Sequence, residues 1–413
     1  YGDHRDLHLS LRRQRQMCIR DRYMGLIYSF STFAVGFLAR PIGGILFGHF
    51  GDRLGRKAAL VTALTLMGLA TTIIGLLPTY SSVGVLAPLA LILMRFLQGL
   101  AIGGQWGGAM LLVTENAPAD RRGFYGGFAQ AGAPMGVVLA NLAFLAVTAS
   151  VSEEAFMSWG WRIPFIASLL LVGLALYVQL RLEDTPAFKE LKAASEGKTE
   201  DTGPKSKSPI LKALSTYPKQ IVLAAGAFLS VQVSFYIFIV FIMSYGTDPD
   251  GLALSRTDML TAVLISSFAQ VPAIFLAASY SDRHGRRGIY KMGALAMAVW
   301  GFCVFPLMDT GSLLAITLAL TVGQIFIGMM YGPQAALLTE LFSTEVRYSG
   351  ASLGYQLGAI VGGGMAPIAA TALIAAFGSA IWVSAYIALA SLLTWLSLHL
   401  LGENHQADLE KVA

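Results

Sequence analysis

The chain has 413 residues, 55% of them hydrophobic and only 13% charged, and its mean hydropathy is +0.63. Soluble domains carry about 25% charged residues, so this chain lacks the polar surface that a water-soluble globule needs. The formal charge of +5 argues for no nucleic-acid partner, since six Arg and three Asp crowd into residues 1–22 and supply +3 of it.

Residues 1–22 come first and are too charged to span a membrane. The string Ser10-Leu11-Arg12-Arg13-Gln14-Arg15-Gln16-Met17-Cys18-Ile19-Arg20-Asp21-Arg22 looks like a translated sequencing adapter or transposon end, and the tail is expected to be non-native. Beyond it, long apolar stretches alternate with short charged knots. Eleven stretches stand out, near 24–50, 58–78, 86–113, 124–150, 160–181, 220–245, 257–280, 289–308, 312–338, 349–376 and 379–401. A bilayer core takes roughly 20 apolar residues per helix, and backbone facing lipid must bond within its own helix. The chain therefore reads as an all-α membrane protein with eleven recognised spans.

Lys and Arg collect in alternate loops: Arg53, Arg56 and Lys57; Arg121 and Arg122; 189–219; Arg283, Arg286, Arg287 and Lys291; and Arg347. The intervening loops carry Glu153, Glu154, Asp248, Asp250 and Asp309, with only Arg162 and Arg256 as basic residues. Basic loops stay in the cytoplasm. A polar segment at 183–219 divides the spans into an N-terminal bundle, 23–182, and a C-terminal bundle, 220–402, with a cytoplasmic tail at 403–413.

The two bundles repeat each other. Asp52-Arg53-Leu54-Gly55-Arg56 returns as Asp282-Arg283-His284-Gly285-Arg286, 230 residues later. Thr114-Glu115, seven residues ahead of Arg122, return as Thr339-Glu340 ahead of Arg347, offset by 225. The Gly in the first motif allows a tight turn, and its Asp can accept from backbone N–H groups or a cation. Asp52, Arg53, Arg56, Glu115, Arg122, Asp282, Arg283, Arg286, Glu340 and Arg347 are thus candidates for a charged gate, with loop topology as the plainer alternative.

The doubled Asp-Arg-x-Gly-Arg loop resembles the signature loop of the major facilitator superfamily. Ala39-Arg40-Pro41-Ile42-Gly43-Gly44, Arg95-Phe96-Leu97-Gln98-Gly99, Gly103-Gly104-Gln105-Trp106-Gly107-Gly108, Trp159-Gly160-Trp161-Arg162-Ile163-Pro164-Phe165, Glu340-Leu341-Phe342 and Val346-Arg347-Tyr348-Ser349-Gly350-Ala351-Ser352-Leu353-Gly354-Tyr355 resemble its metabolite:proton symporter family. Members carry shikimate, 2-oxoglutarate, citrate, proline or betaine. The resemblance implies the major facilitator fold: two six-helix bundles, here with the first helix missing or replaced, so that 23–182 holds family helices 2–6 and 220–402 holds 7–12. It also implies a multi-pass, monomeric protein of the bacterial inner membrane that imports a small organic acid or zwitterion with protons, without a cofactor. Two departures weaken proton coupling. Family members open on a helix with a Glu-x-Tyr-Asp cluster, not found here, and carry Glu where this chain has Gln105. The alternatives are a passive or osmolyte carrier, or a non-transporting fragment.

Candidate substrate contacts follow from polar groups inside the spans. Arg40 and Arg95 are intramembrane cations, which face a bundle interior rather than lipid. Arg95, Gln98 and Gln105 share one helix face. Planar guanidinium grips carboxylate with two parallel bonds. In the second half, Gln232 and Tyr236, then Gln324, Tyr331 and Gln334, then Tyr355 and Gln356 suit hydroxyl and carboxyl groups; interhelical bonding is the alternative for each. Gln130 and Asn141 are weaker candidates. Cys18 and Cys303 imply no disulfide framework, and nothing resembles a metal site, a phosphate loop or a nucleophile triad.

Overall fold

A computed structural model describes residues 23–47, 56–181, 214–342 and 347–402, and these are helical, with no strand among them. The readings placed on 1–22, on Asp52 and Arg53, on the tail 403–413 and on most of the 183–219 segment lie outside the described residues. Eleven helices carry the fold: α1 (Tyr23–Phe47), α2 (Arg56–Leu76), α3 (Leu86–Glu115), α4 (Arg122–Ser150), α5 (Leu169–Arg181), α6 (Pro218–Gly246), α7 (Arg256–His284), α8 (Arg286–Met308), α9 (Leu313–Leu341), α10 (Ser349–Phe377) and α11 (Ile381–Leu400). Nine apolar helices among the described residues are long enough to cross a bilayer. The other two predicted spans hold shorter apolar segments, Val61–Leu76 and Gly160–Leu174.

Local chemistry sets the ends and breaks. Ser255 caps α7 by accepting from the Asp258 amide, Asp258 sits in the first turn, and Arg283 and His284 close the last. Acid at the start and base at the end suit the helix dipole. This explains why α7 runs four residues beyond the predicted span and carries Asp282 inside the helix. Gly285 then turns the chain into α8 at φ 92, a backbone conformation that L side chains resist. The predicted span 160–181 is broken into a 3-10 turn (Gly160–Arg162), a short helix (Ile163–Ile166) with Pro164 in its first turn, where a missing donor is tolerated, and α5. Arg162 braces the same corner, donating through Nη1 to the carbonyls of Gly75 (2.9 Å) and Leu77 (2.5 Å) at the end of α2.

Helices α1–α5 and α6–α11 form the two halves. Within the first, α1 and α3 meet backbone to backbone. A Cβ at Gly43, Gly99 or Gly103 would collide with the carbonyl oxygen of Leu100, Gly36 or Arg40, respectively. Small residues permit such close approach between membrane helices. Across the halves α4 packs on α7 and α3 on α10, while Phe37 of α1 lies against Gly363 and Gly364 of α10. Three helices of the second half are irregular. Ile237–Phe241 in α6 and Ala359–Gly364 in α10 are π-turns, and α9 breaks at Gly332–Pro333. Single π-turns recur at functional sites because they re-aim side chains.

Candidate functional site

The polar groups that sequence places inside the spans divide into a central cluster between the halves and structural links within them. Arg40 of α1 is 6% exposed. Its guanidinium lies 3.8 Å from the Phe37 ring centre, and Nη2 donates to the Tyr236 hydroxyl of α6 at 3.4 Å. Tyr236 meets Phe37 and Phe33 edge-on, with centroids 5.0 and 5.8 Å apart. The Nε–H of Arg40 reaches no acceptor among the described residues.

One turn deeper, Trp106 of α3 stacks on Tyr355 of α10, with ring centroids 3.7 Å apart and planes at 8°. Phe228 of α6 closes edge-on against both. Gln232 and Tyr331 neighbour the Tyr355 hydroxyl, and Trp106 neighbours that of Tyr331. Gln356 donates to the Gly103 carbonyl at 3.4 Å, while its own Oε1 accepts nothing among the described residues. The cluster is therefore aromatic and built from both halves, with Arg40 as its buried cation.

Other predicted contacts sit elsewhere. Arg95 donates to Gln98 Oε1 (3.0 Å), and Gln98 Nε2 donates to the Thr71 hydroxyl (2.6 Å), tying α3 to α2. Arg95 also lies over the Phe33 ring at 5.9 Å, at the edge of the central cluster. Gln105 is half-buried on α3. Gln334 belongs to an inter-half chain. Gln130 Nε2 of α4 donates to Gln334 Oε1 (3.1 Å) and to the Tyr331 carbonyl (3.2 Å); Gln334 Nε2 donates to the Tyr290 hydroxyl (2.8 Å), which donates to the Ala227 carbonyl (2.6 Å). Gln324 is buried between α9 and α7, and its amide has no partner among the described residues.

The end that carries the basic loops holds a closed contact between the halves. Asp282 accepts from the amides of Gly123 and Phe124, each at 2.8 Å, so an acid of the second half caps a helix of the first. Arg286 donates through Nη1 to Asp282 and through Nε and Nη2 to Glu340 (3.2 and 3.0 Å). All three are buried. Of the remaining gate candidates, Arg122 is buried at the start of α4, Arg347 is buried and donates to the Phe342 carbonyl (3.2 Å), and Arg283 is exposed. Arg56 opens α2 and Glu115 closes α3. Thr114 and Thr339 join their hydroxyls across the halves at 2.8 Å. They are also repeat equivalents, offset by 225, as are Trp106 and Tyr331. Equivalent residues that touch straddle the pseudo-two-fold axis, which in parallel repeats runs along the membrane normal. That axis thus runs from the Thr pair up through the Trp106–Tyr331 contact to the central cluster.

Sequence reasoning missed Trp106, Phe33, Phe37 and Phe228 as members of this cluster, because an aromatic in an apolar span gives no polar signal. The 225-residue offset was the usable clue: it pairs Trp106 with Tyr331 as it pairs Thr114 with Thr339.

Comparison with known proteins adds the family. A profile of the Major Facilitator Superfamily matches residues 19–354. The inner membrane metabolite transport protein YhjE of Escherichia coli is 40% identical over 93% of this chain and 86% of its own length. The shikimate transporter of Escherichia coli is 35% identical over the same shares. Among solved structures, the partially occluded, inward-open xylose transporter XylE from E. coli has a TM-score of 0.70 at 19% identity, covering 92% of this chain and 89% of that one.

Proposed function

This chain belongs to the Major Facilitator Superfamily, and on that footing we propose that it carries a small organic acid or zwitterion across the bilayer, in symport with protons, by alternating access. It is a transporter, not an enzyme, and a multi-pass protein of the bacterial inner membrane, the location in the name of its YhjE relative. A single chain is the transporting unit, and helices α1–α5 and α6–α11 rock against each other about the central cluster.

The substrate class rests on Arg40. A guanidinium with an unspent N–H, buried among Phe37, Phe33 and Tyr236 between the halves, is stabilised by a carboxylate in its plane. The shikimate relative's name points to the same chemistry. The test is uptake of radiolabelled shikimate and a panel of small carboxylates and betaines into proteoliposomes. Arg40→Lys keeps the charge and loses the planar fork. Charge-assisted hydrogen bonds contribute about 1.5–3 kcal/mol, so KM for the accepted carboxylate rises roughly ten- to hundredfold. An unchanged KM in correctly inserted protein removes Arg40 from the site.

A second reading, passive or osmolyte carriage, has one observation in its favour. Among the described residues, no Asp or Glu lies in the middle of a span, and Gln105 cannot titrate. Substrate-dependent alkalinisation of the external medium separates the two: a symporter produces it and a passive carrier does not.

A further inference from the structure

Helices α7 and α9 run parallel, and tight contacts fix their register. Gly328 of α9 faces Ala273 and the Gln270 carbonyl, and Gly332 faces Ile274, Ala277 and Ala278. Stepping back four residues along both helices sets Gln324 opposite Ala269, next to Gln270, and a further three residues set Thr321 opposite Ser266, next to Ser267. Thr321, Gln324, Gly328 and Gly332 follow the three-four spacing of one helix face. The register therefore sets these four polar residues at neighbouring levels along the α7–α9 seam, near the middle of both spans.

Ser267, Gln270 and Gln324 are 0% exposed, and the Thr321 hydroxyl is buried as well. Six side-chain atoms of this group have no hydrogen-bond partner among the described residues: both amide atoms of Gln270, both of Gln324, Ser267 Oγ and Thr321 Oγ1. Buried polar groups are almost always bonded, by protein or by internal water. Two unspent amides at neighbouring levels of one seam, with two unspent hydroxyls a turn away, form a polar site in an apolar bundle.

We propose that this seam is an internal hydration site, occupied by water that bridges the Gln270 and Gln324 amides and the Ser267 and Thr321 hydroxyls. The donor inventory selects the ligand. The two amides present N–H donors as well as carbonyl acceptors. A sodium or potassium ion satisfies the oxygens and leaves both Nε2 groups stranded. An anion satisfies the N–H groups and leaves both Oε1 atoms stranded. A small neutral molecule that donates and accepts serves all six atoms, and the glycine-close packing at Gly328 and Gly332 favours the smallest. Bridging water has a mechanical consequence. Its bonds re-form over a range of geometries, so α9 can shift against α7 just outward of its break at Gly332–Pro333, where direct amide–amide bonds would hold one register.

The test is a structure of the purified full chain at a resolution that shows ordered water, beside a thermal-unfolding cycle of Gln270→Met, Gln324→Met and the double variant. A hydrated seam shows water density within hydrogen-bond reach of both amides. Each single substitution then lowers Tm by stripping a partner from that water, and the second adds little to the first. A seam with no water density, the two amides bonded directly to each other or left apart, overturns the proposal. So do single substitutions that each raise Tm additively, because that is the response of isolated, unpaired amides. Failure of the Arg40→Lys experiment leaves this outcome untouched, since Arg40 and the seam share no residue.

Discussion

At the scale of single residues, Asp282 illustrates how one carboxylate serves two halves of the molecule. Its two oxygens take the Gly123 and Phe124 amides from α4, and Arg286 binds it from the next helix while reaching Glu340. Removing one partner of a buried ion pair is more damaging than never having made the pair. Asp282→Asn replaces one acceptor by an amide that points N–H at N–H. It is expected to lower stability by about 1.5–3 kcal/mol, the range for hydrogen bonds to charged groups, read as a drop in Tm. Glu340→Gln unloads the other side of Arg286. The double variant then loses less than the sum of the two single losses, because both act through Arg286. Strict additivity would show that the two carboxylates hold the contact between the halves independently.

At the scale of elements, the α1–α3 pair shows which glycines are needed for approach. A Cβ at Gly103 collides with the Arg40 carbonyl, whereas one at Gly108 meets nothing within 4 Å. Gly103→Ala should push α1 away from α3 and displace Arg40, so little monodisperse protein survives size-exclusion chromatography; Gly108→Ala should elute like the parent. The sequence made the run of glycines visible, interleaved with the polar residues Arg95, Gln98 and Gln105. It could not say which glycine touches backbone, because that depends on the rotation of α1. The same limit explains the rest. Helix positions were legible from hydropathy, and the Asp-Arg-x-Gly-Arg turn from its glycine, which Gly285 uses at φ 92. Gln98 and Gln334 carried the same polar signal as Gln356, yet theirs are bonded at both amide ends, while Gln356 keeps Oε1 unspent among the described residues. A side chain's partner across the bundle leaves no trace in its own periodicity. The π-turns at Ile237–Phe241 and Ala359–Gly364 were equally silent, as one extra residue in an apolar run changes no composition.

At the scale of the whole molecule, the repeat becomes a geometric constraint. Thr114 and Thr339 occupy equivalent positions in the two halves and bond to each other, so their contact lies on the axis about which the halves are related. A rocking motion that opens the basic end has to part them, along with Gln130 from Gln334 and Asp282 from the start of α4. A covalent link at the axis should therefore hold that end shut without disturbing the central cluster. With Cys18 and Cys303 replaced by Ser, Thr114→Cys and Thr339→Cys place two thiols where two hydroxyl oxygens now sit 2.8 Å apart. Oxidation should form the disulfide readily and stop net uptake, and dithiothreitol should restore it. Substrate binding from the opposite side should persist in the oxidised protein, because Arg40, Tyr236, Trp106 and Tyr355 keep their contacts. A protein cross-linked to completion that still transports at the parent rate would place the moving interface away from this axis, and the two halves would then exchange access by some motion other than rocking about it.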